Sequence, residues 1–262
     1  MKEVALLTLH GMGEVDAGYY DEFEAAIKRE LAADWERVAF HSVTYAEVLQ
    51  GPQRALWDAM RAESTNDLDA TRLRRFLLYF LSDAATLEHS ANRAEDDRYL
   101  LVQQQIQAGL SQALVALGGD ESKPVVIIAH SLGAQVISNY LWDAQMGNHS
   151  FDGWEDDSKP FLRLRSLKQF TTIGCNIPIF VGGLADRECF KPIDGMRWDN
   201  YYDPDDVLGW PLRQLGQSYE FVHDHPVNAG GSLTNWNLWS HGGYWDDRDV
   251  ICPLARRIRE LI

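Results

Sequence analysis

A serine hydroxyl becomes a useful nucleophile when a base takes its proton and backbone N–H groups receive the negative charge that follows. Ser131 stands where that arrangement is easiest to build. The preceding run, Val125-Val126-Ile127-Ile128-Ala129, is apolar and rich in β-branched side chains, the composition of a strand buried on both faces of a parallel sheet. After the serine, Ala134, Val136, Ile137, Tyr140 and Leu141 recur at helical spacing. The serine is therefore predicted at a sharp strand-to-helix turn, beside the free N–H groups of a helix start. That is the geometry of a nucleophile elbow. Ala129 and Gly133 flank it, and larger side chains would collide on so tight a turn. The duller role for such a serine is to cap its helix.

A nucleophilic serine needs a base, and the base needs an acid to orient it. The acids on offer crowd onto one turn, Asp203-Pro204-Asp205-Asp206, after a predicted strand. Some of these serve only to cap or solvate the turn. The histidines to weigh are His10, His130, His223, His225 and His241. Asp206 and His241 follow predicted strands in the order Ser, Asp, His. His223-Asp224-His225 is a weak metal motif, an i,i+2 pair lacking a third ligand.

The elements that must position these groups alternate between strand and helix. Val4 to Leu9 reads as a buried strand running into His10-Gly11-Met12-Gly13, where glycines let the backbone bend and approach a ligand closely. A helix over Tyr19 to Ala33 follows, then a strand over Arg37 to Tyr45. The stretch from Gly51 to Asn92 interrupts the rhythm; from Leu73 to Leu87 it is apolar almost all round, which predicts a buried helix, with a lid over the site or a partner-binding surface as the other readings. Asp96 to Leu117 is an amphipathic helix ended by Gly118-Gly119. Beyond the serine helix come strands at Leu167 to Ile173, Gly195 to Tyr202 and Tyr219 to Val222, and a closing helix at Val250 to Leu261. Nothing marks a linker. Residues 1–262 thus read as one α/β domain, three-layered around a mostly parallel sheet, with a helical insertion at 51–92 as a candidate lid.

Composition narrows the partners. The chain has 262 residues and a formal net charge of −15, which repels phosphate backbones and anionic lipids. Nucleic acid is not expected as a partner, and a small neutral substrate fits better. There is no P-loop and no Gly-x-Gly-x-x-Gly after a strand, so nucleotide binding is unsupported. No apolar run is long enough to span a bilayer. The three cysteines, Cys175, Cys189 and Cys252, have no metal-ligand spacing, and the opening residues lack the pattern of a signal peptide. A reducing cytoplasm is the expected setting, with neither metal nor organic cofactor. Five tryptophans late in the chain, Trp198, Trp210, Trp236, Trp239 and Trp245, read as core and loop packing.

Over nearly its whole length the chain resembles an α/β-hydrolase of the lipase/esterase type. The resemblance rests on Leu9-His10-Gly11-Met12-Gly13, Ala129-His130-Ser131-Leu132-Gly133, Asp203-Pro204-Asp205-Asp206-Val207-Leu208 and Ser240-His241-Gly242-Gly243-Tyr244-Trp245. Alanine replaces the first glycine of the Gly-x-Ser-x-Gly elbow, and the stretch 51–92 has no counterpart in the common core. Leu167 to Phe180 is similar to the strand and turn that follow the nucleophile helix in lipase-like members. The resemblance implies Ser131 as nucleophile, His241 as base and Asp206 as acid, with Asp203 and then Asp205 as alternative acids. It implies backbone N–H groups of Met12 and Leu132 as the oxyanion hole, and structural roles for His10 and His130. The expected activity is hydrolysis of a neutral carboxylic ester through an acyl-enzyme. Thioester or amide cleavage, an interfacial lipase and a catalytically silent binding module are the alternatives.

Overall fold

Six parallel strands form one sheet in the order β2-β1-β3-β4-β5-β6. They are β1 (Val4–Leu9), β2 (Val38–Val43), β3 (Val125–His130), β4 (Leu167–Ile173), β5 (Arg197–Tyr202) and β6 (Val222–Pro226). The helices are α1 (Asp21–Leu31), α2 (Ala46–Ala62), α3 (Thr71–Thr86), α4 (Arg98–Ala116), α5 (Leu132–Met146), α6 (Ile177–Val181) and α7 (Arg248–Leu261). This computed structural model describes residues 1–12, 18–62, 69–87, 97–155, 158–229 and 242–262.

The central strands carry unbroken apolar runs because both faces are covered. Val4 and Leu6 of β1 and Val126 and Ile128 of β3 join an apolar cluster with Phe23 and Ile27 of α1 and Val250, Leu254 and Ile258 of α7. Ala5, Leu7 and Leu9 of β1 and Val125, Ile127 and Ala129 of β3 point the other way, into a cluster with α4 and α5. Successive residues of a strand face opposite sides, so a strand between two helix layers has no polar face. The three-layer α/β architecture predicted from the sequence is the one observed.

The chain between β2 and β3 forms helices α2, α3 and α4. Helix α2 runs through Pro52, which has no N–H for the Val48 carbonyl one turn back. Arg98, at the start of α4, donates its guanidinium to that carbonyl instead. The expectation of a helix buried all round between Leu73 and Leu87 is corrected. Tyr79 and Phe80 are buried, but Leu73, Leu77 and Leu81 are 50%, 43% and 58% exposed. They lie four residues apart on one face, and Leu77 and Leu81 line a shallow apolar hollow with Trp57 and Met60 of α2.

A second correction concerns the last strand. Tyr219 closes a short 3-10 turn at Gln217–Tyr219, and β6 begins only at Val222. It is an edge strand, which explains how it carries His223, Asp224 and His225. Asp224 accepts the backbone N–H groups of Leu212 and Arg213, and His225 bonds Asp199 of β5 at 2.7 Å. No helix of the described residues is long and apolar enough to cross a membrane.

Candidate active site

Strand order places the site. β1 and β3 are neighbours, yet the chain leaves β1 for α1 on one face and β3 for α5 on the other. Loops that depart to opposite sides open a crevice at the carboxyl ends of the two strands, where open α/β sheets bind ligands. Ser131 follows β3 and His10-Gly11-Met12 follow β1 at this crevice.

Ser131 has φ 51° and ψ −120°, a backbone conformation that non-glycine residues adopt at a cost of about 1–3 kcal/mol. The turn is held from both ends. The Ser131 N–H donates to the Ile173 carbonyl at 3.0 Å, and the Ser131 carbonyl accepts from the Ala134 N–H at 3.0 Å. The serine side chain makes no cap bond to its own helix, which sets aside the capping role. Leu132 is the first residue of α5, so its N–H is one that a helix leaves without an intrahelical acceptor.

The flanking glycines are fixed by collisions. A Cβ on Gly133 would lie 2.6 Å from the His10 carbonyl oxygen, and one on Gly11 would lie 2.9 Å from both His130 Nδ1 and Ser131 Cβ. The turn after β1 and the turn at Ser131 are therefore in backbone contact, which brings Met12 and Leu132 to the same crevice. The contact needs no side chain at either glycine.

His10 supports this contact. Its ring is buried, donates from Nδ1 to the Gly11 carbonyl at 2.7 Å and accepts the Tyr45 N–H on Nε2 at 3.1 Å. The Tyr45 ring stacks on it at 4.0 Å between centroids, and the Tyr45 hydroxyl donates to the His10 carbonyl. Burial lowers its pKa to about 4, against the Gly11 carbonyl, which favours the charged ring. A protonated ring would also turn Nε2 into a donor facing the Tyr45 N–H. His10 is neutral and structural.

The acidic turn follows β5, two strands from β3. Asp203 and Asp206 are buried and Asp205 is exposed. Asp203 Oδ1 accepts the Asp205 N–H at 2.8 Å and so closes the turn. Asp206 accepts the Leu208 N–H on Oδ1 at 3.0 Å and the Tyr244 hydroxyl on Oδ2 at 2.8 Å. The same hydroxyl accepts the Asp203 N–H at 2.9 Å. Burial and the Asp206 charge push the Tyr244 pKa far up, so it remains a donor. Gly209 makes room: a Cβ there would lie 2.7 Å from Asp206 Oδ2.

His241 lies outside the described residues, as do Gly13, Trp236 and Trp239. Tyr244, three residues beyond His241, is described, and its ring lies 6.3 Å from that of His130. His223 and His225 are committed to β6, where the His225 ring stacks on Tyr201. Among the described residues no three His, Cys, Asp or Glu side chains gather to hold a metal.

Two residues of the crevice escaped the sequence reading. Tyr45 is one. Asn176, fully buried between β4 and α6, is the other, and its Nδ2 donates to Ser131 Oγ at 3.4 Å. A lone asparagine carries no motif; only its place at the carboxyl end of a strand next to β3 could have pointed to it.

No protein-family model and no curated protein sequence matches the chain. Among solved structures the chain is similar to the catalytic core domain of acetyl xylan esterase from Trichoderma reesei, at 12% identity and a TM-score of 0.46 over 100% of this chain and 99% of that one. It is also similar to a cutinase-like protein from Cryptococcus sp., at 12% identity and a TM-score of 0.43 over 98% of this chain and 94% of that one. By its own geometry, an all-parallel sheet with helices on both faces and a strained serine at its switch point, this chain has a three-layer α/β-hydrolase-like fold.

Proposed function

We propose that the protein is a serine hydrolase that cleaves a neutral carboxylic ester through an acyl-enzyme. The observation that carries this reading is the backbone of Ser131 at φ 51° and ψ −120°, strained between β3 and α5 and pressed against Gly11. Strain of this kind persists where surrounding structure holds it in place, and it presents a side chain at the head of a helix.

In this reading His241 takes the proton from Ser131 Oγ as the oxygen attacks the ester carbonyl. The carbonyl oxygen becomes an oxyanion and is received by the N–H groups of Met12 and Leu132. The intermediate collapses, the alcohol leaves with the proton from His241, and Ser131 is left acylated. Water then gives a proton to His241 and attacks the acyl carbon, and the acid is released with Ser131 restored. Asp206 holds the base in its productive orientation and stabilises the imidazolium. Asp206 is favoured over Asp203 because its carboxylate is bonded by the side chain of Tyr244, on the chain segment that carries His241. Asp205 is exposed and is the least suited.

The test is direct. Wild type should label with a fluorophosphonate probe and hydrolyse short p-nitrophenyl esters, and Ser131→Ala should lose both. Equal labelling of the two proteins would remove Ser131 from the nucleophile's role, and a wild type that neither labels nor hydrolyses would favour the silent binding module. Matched ester, thioester and amide substrates separate the remaining acyl-transfer readings.

A further inference from the structure

Asn176 brings more to Ser131 than one contact. A side-chain amide has two N–H donors and a carbonyl oxygen with two acceptor positions. Asn176 donates through Nδ2 to Ser131 Oγ at 3.4 Å. On the same rigid, planar amide, Oδ1 is buried and has no hydrogen-bond partner among the described residues. Native interiors leave few buried polar atoms unpaired, because each gave up its bond to water on folding. Here the unpaired acceptor belongs to the same amide that reaches the serine oxygen, in a residue whose own exposure is 0%. Neither half of the amide serves the helix that begins beside it, since Asn176 makes no side-chain cap bond to α6.

We propose that Asn176 contacts the substrate: Oδ1 accepts a hydrogen bond from a hydroxyl next to the scissile ester, so the preferred substrates are hydroxy esters rather than plain alkyl esters. The proposal rests on Ser131 being the nucleophile. The two ends of the amide then divide the work. The Nδ2 donor occupies a lone pair of Ser131 Oγ and leaves the serine proton for the base. The Oδ1 acceptor binds the substrate beside the carbonyl under attack. An alkyl ester in the same space would leave Oδ1 unpaired, as it is in the free protein, so only a hydroxylated substrate gains the bond. A donor is selected by an unpaired acceptor; no charge is called for, which agrees with a neutral substrate.

The experiment compares kcat/KM by pH-stat titration on two matched pairs. Propyl butyrate against 2-hydroxyethyl butyrate places the hydroxyl on the alcohol side. Ethyl butyrate against ethyl 2-hydroxybutyrate places it on the acyl side. Wild type should favour the hydroxylated member of one pair by about tenfold or more. Asn176→Leu, close in size and without polar atoms, should bring that ratio near one in a protein whose circular dichroism matches wild type. Should leucine prevent folding, Asn176→Ala removes the amide without adding bulk and should give the same ratio. Equal rates on both pairs in wild type, or a preference that survives in the folded variant, would overturn the proposal and leave the Ser131 reading standing. Failure of the Ser131 reading looks different: wild type and Ser131→Ala then label equally, or wild type neither labels nor hydrolyses any of the four esters.

Discussion

His10 and Ser131 sit on facing turns, and each is held in one state by its surroundings. For Ser131 that state is a backbone conformation; for His10 it is the neutral ring. The consequence for His10 can be given a sign. Its pKa is about 4 in the folded protein, against ~6.5 for an unhindered histidine, so the unfolded chain binds more protons between those values. The contribution of His10 to stability is complete above pH 6.5 and is lost as pH falls towards 4, by roughly 3 kcal/mol in all. Urea unfolding at a series of pH values should show that loss in wild type. It should be shallower by about that amount in His10→Asn, which keeps a donor and an acceptor but does not titrate. Parallel curves would mean that the ring protonates in place. Not all of this was open to the sequence. The glycine-flanked serine and the His10-Gly11 turn were legible because tight turns select small residues locally. The tautomer of His10 is set by the Tyr45 N–H, thirty-five residues away, and its low pKa by burial, and no local pattern announces either.

At the scale of the element, helices with one apolar stripe were the easiest to read. The predicted helices at Tyr19 to Ala33, Asp96 to Leu117 and Val250 to Leu261 correspond to α1, α4 and α7, with ends shifted by two residues at most. Their periodicity is set by the face they bury. β6 was misplaced because its Val-His-Asp-His-Pro sequence has no apolar alternation; it is a strand by virtue of pairing with β5 and of the bonds made by Asp224 and His225. α3 was misjudged for the opposite reason, since an all-apolar surface does not say which side will be covered. The contrast predicts a difference in stability. Ile258 of α7 is fully buried, and Ile258→Ala should cost about 2–5 kcal/mol in a denaturant titration. Leu81 of α3 is 58% exposed, and Leu81→Ser should change stability by no more than about 0.5 kcal/mol. Comparable losses at both positions would show that the outer face of α3 is covered in solution.

Across the whole molecule, burial also decides which thiols can react. All three cysteines are free. Burial pushes the Cys175 thiol up to about 12, and burial raises Cys189 as well, so neither offers a thiolate near neutral pH. Cys252, on α7, is only partly buried. A thiol reagent such as dithionitrobenzoate should therefore titrate one group quickly in the native protein and three in denaturant. Fast reaction of a second thiol in the native state would show that the core beside Asn176 opens readily.

By itself the sequence determined what neighbours along the chain can determine: an apolar strand, a turn that admits only small residues, and amphipathic helices that between them require a parallel sheet covered on both faces. The tertiary structure decided what distant segments do to one another. Strand order set Asn176 against Ser131, brought Tyr45 beneath His10, and let the Tyr244 hydroxyl join Asp203 to Asp206. The physical reason is that turns and periodicities are properties of adjacent residues, whereas an unpaired amide, a lowered pKa or a shared hydroxyl exists only once folding has removed water from between residues far apart in the chain.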